Sequence, residues 1–96
     1  MAAGDISRDS TVLSMGNTRV LTGTIEVDDT LRAFALRGNT LASIVTCNVD
    51  CEDGVGSAKV LLNQDASATT TAGTIAVQGD DTTTRTYRFQ AVFAAW

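Results

Sequence analysis

The 96-residue chain has no histidine, no proline, a single lysine, two cysteines and five aromatic residues. Without histidine there is no imidazole base, no His-activated Ser or Cys, and no His-containing metal site. Lys59 and six Arg stand against eleven acidic residues, giving a net charge of -4. So few basic groups cannot form the positive stripe that phosphate contacts need, which argues against nucleic acid as a partner. The longest apolar run, Ala91 to Trp96, is six residues, against the ~20 of a membrane helix. The first 30 residues lack a basic start followed by an apolar stretch, so no Sec-type signal peptide is expected. Neither a Gly-rich phosphate loop nor a G-x-S-x-G element occurs. Together these absences predict a protein that is not an enzyme and needs no cofactor or metal.

What is present points to strands. There are 15 Thr, and Thr favours strands over helices because its branched Cβ is stiff. Hydrophobic residues make up 44%, but 13 of them are Ala and only 23 are Ile, Leu, Val or Phe. That composition predicts one domain with a thin core. From residue 10 onward, short alternating runs are separated by Gly, Asn and Asp, with no sustained helical period. The expected strands are 10–15, 18–27, 30–37, 41–49, 57–63, 72–78 and 83–95. The expected fold is therefore all-β, a small antiparallel sandwich or barrel-like roll of about six or seven strands over residues 10–96. Residues 1–9, with Ile6 as their one sizeable apolar side chain, read as a flexible arm, either a frayed terminus or an arm that orders on a neighbouring subunit.

Two turn readings suggest a register. If Asp28-Asp29 and Gly38-Asn39 are two-residue hairpin loops, Leu21, Ile25, Val27, Phe34, Leu36, Leu41, Val45, Cys47 and Val49 share one apolar face. Phe34 then lies across from Gly23 and covers its bare backbone, and Arg32 must reach the rim. The last strand has its own apolar face in Tyr87, Phe89, Ala91 and Phe93. One internal echo is visible: Gly23-Thr24-Ile25-Glu26-Val27 followed by Asp28-Asp29-Thr30, and Gly73-Thr74-Ile75-Ala76-Val77 followed, two residues later, by Asp80-Asp81-Thr82. It reads either as a duplicated strand-turn unit or as two similar hairpins.

Few constellations could carry chemistry. Cys47 and Cys51 on an extended strand would lie ~13 Å apart, too far for a disulfide. Free thiols are the expectation, with Cys47 buried and Cys51 in a loop; a tight turn at Asp50 is the alternative that would bridge them. The stretch Asn48 to Gly54 fails the EF-hand pattern, since Asp53 stands where Gly is required and Lys59 where the final Glu belongs. It reads as a solvated acidic turn. Asp28-Asp29 and Asp80-Asp81 are pairs in sequence only, because neighbouring strand residues point to opposite faces.

The opening Met1-Ala2-Ala3-Gly4-Asp5-Ile6, with the Met15 to Thr30 strand-and-turn stretch and the Thr/Ala/Val-rich composition, resembles small virion structural proteins of tailed bacteriophages. The nearest likeness is to capsid decoration (cement) proteins of cyanobacterial and marine phages, and it covers about a third of the chain. The resemblance implies a β module that binds the major capsid protein and reinforces the shell. It also implies a homo-oligomer, with a trimer favoured, made in the bacterial cytoplasm and carried on the capsid exterior. A tail or neck module, or a monomeric sandwich binding a glycan or receptor, are the alternatives. No site residues carry over from the family. From the residues themselves, Ile6, Leu61, Val92 and Trp96 are the candidate interface side chains. Trp96 follows Val92 and Ala94 on the face opposite Phe93, so it is expected to pack on a neighbouring subunit or the capsid floor, or else to fold back over its own domain.

Overall fold

The computed structural model describes residues 2–10, 12–36 and 43–94. Among them are eight strands: β1 Ile6–Arg8, β2 Leu13–Met15, β3 Thr18–Val27, β4 Arg32–Ala35, β5 Ile44–Cys51, β6 Ala58–Gln64, β7 Thr70–Gly79 and β8 Arg85–Phe93. All pairings are antiparallel. They form a five-stranded sheet of order β1-β3-β8-β5, with β2 also on β3, and a three-stranded sheet of order β4-β7-β6. The two sheets enclose one core of Leu21, Ile25, Val27, Phe34, Leu36, Ile44, Ile75, Val77, Tyr87, Phe89, Ala91 and Phe93. The fold is an all-β sandwich, as the alternating sequence predicts.

The pairing differs from the expected meander. Asp28-Asp29 does not close a hairpin, because β3 and β4 lie in different sheets. Asp28 instead spends its side chain on the Thr30 N–H at 3.0 Å and on Arg32, while its carbonyl accepts from Gly79 N–H at 2.8 Å. The loop therefore arches from one layer to the other. β3 pairs with β8 over nine residues, so aromatic Tyr87 and Phe89 sit beside Ile25 and Gly23. Gly23 is covered by Phe89, not by Phe34. The second expected hairpin, Gly38-Asn39, and Leu41 lie outside the described residues.

Three further corrections follow from backbone geometry. Ile6–Arg8, expected within a flexible arm, form β1, and Gly4 N–H, Glu26 N–H and Asp9 N–H extend its bonding to the β3 strand on both sides. Ile6 packs against the core, and Arg8 donates to the carbonyls of Leu36 and Ala35 across the sheet gap. Val45, expected on the apolar face, is 60% exposed, whereas Ile44 is buried. A register shift between Ile44 and Thr46 changes the alternation there, as a β-bulge does. Cys51 is the last residue of β5 and not a loop residue.

The internal echo has a structural counterpart. β3–β4 and β7–β8 are two arches that interlock, each pairing with the other's opposite arm. Val27 faces Arg85 and Ile25 faces Tyr87; in the other sheet Val77 faces Arg32 and Ile75 faces Phe34. Gly23 faces Phe89, and Gly73 accepts from the Leu36 N–H at 3.0 Å. The repeated Gly-Thr-Ile-x-Val segments are thus the central strands of the two sheets. The echo marks a repeated strand-turn unit, and the turns are inter-sheet arches, not hairpins.

Candidate interaction surfaces

The arch ends are held by two similar Asp–Arg clamps. Asp28 takes Arg32 in a bidentate pair at 3.0 Å and caps Thr30 N–H. Asp81 takes Arg85 at 3.0 Å and caps Thr83 N–H at 2.8 Å. These are Asx turns, in which a side chain replaces a backbone acceptor. Arg85 also reaches Asp53 at 3.3 Å, and Asp53 accepts from the Cys51 thiol and the Val55 N–H, both at 2.9 Å. Every oxygen of Asp53 is therefore committed within the protein. The Asn48 to Gly54 stretch is a strand end plus this capped turn. Among the described residues, no group of three or more His, Cys, Asp or Glu is placed to hold a metal ion.

These contacts set an acid response. The Arg32 guanidinium and the Thr30 N–H hold the Asp28 carboxyl down at about 2, against an ordinary 3.8. The Cys51 thiol and Val55 N–H lower Asp53, and Arg85 lowers Asp81. A carboxyl lowered by folding contributes stability that is complete above its ordinary value and is lost as pH falls through the folded one. Unfolding by acid should thus steepen below pH 3.8 and continue to about 2. Asp28→Asn should shallow that fall in a denaturant series at several pH values. Identical acid profiles for the two proteins would show that the clamp contributes nothing.

Both cysteines are free and half-buried. Burial pushes the Cys47 thiol up to about 11, so it is protonated at neutral pH and reacts more slowly than a thiol of ordinary pKa.

The outer face of the five-stranded sheet is a polar grid. Across β3, β8 and β5 run Thr22, Gln90 and Asn48, then Thr24, Arg88 and Asp50. Arg88 pairs with Asp9 at 3.2 Å and approaches Glu52 at 4.0 Å. Thr22, Asn48, Asp50, Arg88 and Gln90 line a shallow groove of about 350 Å³ there. Glu26 lies on the same face, 5% exposed; one carboxyl oxygen accepts from the Thr86 hydroxyl at 2.7 Å and the other has no partner.

The outer face of the three-stranded sheet is of another kind. Ala33, Ala76 and Leu61 form one row across β4, β7 and β6, and Ala35 and Thr74 begin the next. Ala33 and Ala35 are exposed, Leu61 is half-buried, and Ala76 between them is fully buried. Gln78 and Lys59 bring polarity at one end, and Thr74 lies toward the other.

No protein-family model, characterised protein or solved structure matches the chain. The surfaces must therefore be judged on their own chemistry. The structure does not gather the sequence-derived candidates into one patch. Leu61 lies on the small-residue face, and Val92 lies half-buried on the opposite sheet between Val20 and Thr46. Ile6 packs on the core from the β1 edge, and Trp96 lies outside the described residues. Sequence reasoning missed the Ala33–Ala76–Leu61 row, because its members come from three strands whose neighbours were unknown.

Proposed function

We propose that this chain is a structural assembly module, and specifically a decoration protein that binds and reinforces a phage capsid shell. The specific reading is supported by the resemblance of the opening third to small virion proteins. The observation that carries assembly is the pair of exposed small residues, Ala33 and Ala35, on the outer face of the three-stranded sheet. Exposed methyl-sized side chains at Ala33 and Ala35 let another surface approach the backbone closely, with little side-chain entropy lost. The shell protein is the partner such a face would meet many times per particle.

Purified protein added to shells lacking decoration should co-sediment with them to saturation. Ala33→Arg and Ala35→Arg place charge on exposed outward positions, so they should fold and lose binding about tenfold or more, as a desolvated unpaired charge does. Binding unchanged in both variants would remove this face from the interface. Failure of the unaltered protein to bind any shell would remove the capsid reading.

A second reading rests on the polar groove. Amides, hydroxyls and carboxylates around Arg88 are groups that hydrogen-bond sugar hydroxyls, so a glycan-binding sandwich is the alternative. Chemical-shift changes confined to Asn48, Arg88 and Gln90 on adding oligosaccharides would favour it over the shell.

A further inference from the structure

We propose that the β5–β6 side of the sandwich is a two-fold interface between two copies of this chain, with β5 paired antiparallel to β5 of the second copy about Val49. Hydrogen-bond parity is the starting point. Glu52 N–H donates to the Thr86 carbonyl at 3.0 Å, which fixes Asp50 and Asn48 as the residues bonded to β8. The backbone groups of Cys47 and Val49 and the Cys51 N–H therefore point away from the sheet, while the Cys51 carbonyl already accepts from Gly54 N–H at 3.1 Å. The same reasoning applies to β6. Gly73 and Gly79 of β7 turn their groups toward Leu36 and Asp28, so Ala76 and Gln78 bond Leu61 and Lys59. Ala58, Val60 and Leu62 are left facing outward.

The outward backbone groups belong to the residues whose side chains line the gap between the sheets. Cys47, Val49, Cys51, Ala58, Val60 and Leu62 all pack on the core yet remain only partly buried. The result is an apolar slot framed by two edges that no other described strand pairs. Its ends are closed: the Asn63 side chain binds both Ile44 N–H and Ile44 carbonyl, at 2.8 and 2.9 Å, and the Tyr87 hydroxyl donates to the Ser57 carbonyl at 3.2 Å. The opposite side of the sandwich is bridged by Arg8 on the Ala35 and Leu36 carbonyls. The open stretch lies between these closures.

The shape of the slot selects its occupant. Packed sheets lie ~10 Å apart, so a single extended segment from another protein pairs with one edge and leaves the other bare. A second copy, turned by a two-fold axis normal to the sheets, brings β5 to β5 and β6 alongside β6 at the same separation. Centring on Val49 pairs Val49 with its own counterpart and sets Cys47 opposite Cys51, whose N–H remains to donate. Asn48 then faces Asp50 and Thr46 faces Glu52, so amide and hydroxyl donors meet carboxylates. Cys47 faces Cys51 of the second copy, twice. Such an isologous contact is complete with two copies, so the three-fold arrangement implied by the resemblance would need another surface.

The cysteines report the register. Opposed residues in a bonded antiparallel pair are ~5.5 Å apart at Cα, within reach of a disulfide, whereas the two thiols of one strand are ~13 Å apart. Reduced protein is treated with diamide, which accepts the two electrons and two protons released by each disulfide. The mass from sedimentation equilibrium should double with concentration. Non-reducing gels should show a covalent dimer, and peptide mapping should join Cys47 to Cys51. Val49→Pro removes an N–H aimed at the second copy and not at β8, so it should give a folded monomer. Amide exchange of the unaltered protein gives a second readout, with Cys47 and Val49 protected when concentrated and exchanging on dilution. A single-chain mass at every concentration, links only between like cysteines, or a Val49→Pro dimer would overturn the proposal. It does not rest on the capsid reading: a monomer that decorates shells overturns it, and a dimer that ignores shells leaves it standing.

Discussion

Phe89→Ala should destabilise the protein by about 3–5 kcal/mol, while Val45→Ala should stay within about 0.5 kcal/mol. Phe89 is 1% exposed and lies between Gly23 and Val49 in the five-stranded sheet. Its ring fills the space that Gly23 leaves, so truncation opens a cavity over bare backbone. A domain this small has only ~5–15 kcal/mol in total, so the variant should be largely unfolded at moderate urea. Val45 is 60% exposed at the bulge. Urea titrations of both variants give the comparison. Equal costs would mean that the bulge does not turn Val45 outward and that the β5 alternation is misplaced.

Gly23→Ala is the second large effect, and it acts through the N-terminal strand. A Cβ at Gly23 would lie 2.2 Å from the Ser7 carbonyl oxygen and 2.7 Å from the Phe89 ring. The ring has a little freedom; the Ser7 carbonyl belongs to β1 and can yield only if β1 moves. The expected cost is about 1–3 kcal/mol, typical of overpacking. Amide exchange should rise selectively at Gly4 and Asp9, which donate to the Glu26 and Thr22 carbonyls. Rapid exchange at those amides in the unaltered protein would mean that residues 2–9 are an arm after all. Wild-type stability and protection in the variant would show that Gly23 is not pinned between β1 and Phe89.

Much of the core is legible without coordinates. Leu21, Ile25, Val27, Phe34, Leu36, Tyr87, Phe89, Ala91 and Phe93 are buried, as their alternation predicts. The bounds of β3 agree with the expectation to the residue. These succeed because strand side chains alternate whatever the partner strand is, so periodicity reports which face is apolar. Ile44 and Val45 are the instructive failure. A bulge inserts one residue, and no local signal in Ser-Ile-Val-Thr marks where it falls.

Alternation says nothing about which layer a face belongs to. Phe34 and Leu36 are buried both in the expected hairpin and in the observed arch, but in the arch they look across the gap at β3 and not along its own sheet. A polar turn such as Asp28 to Leu31 serves either purpose. The choice falls to contacts distant in sequence: the nine-residue ladder of β3 with β8, the Gly79 bond to Asp28, and the fit of Phe89 over Gly23. The repeated Gly-Thr-Ile-x-Val text was visible, yet its meaning as two central strands needed both ladders. Surfaces were the least legible part, since the Ala33–Ala76–Leu61 row and the Cys47–Val49–Leu62 slot each draw on strands that only the fold brings together. Sequence alone determined that the chain is all-β and which side chains avoid water, because both follow from local period and composition. The tertiary structure decided which strands pair and which lie at the sheet edges, because pairing is settled by burying apolar area between residues far apart in the chain.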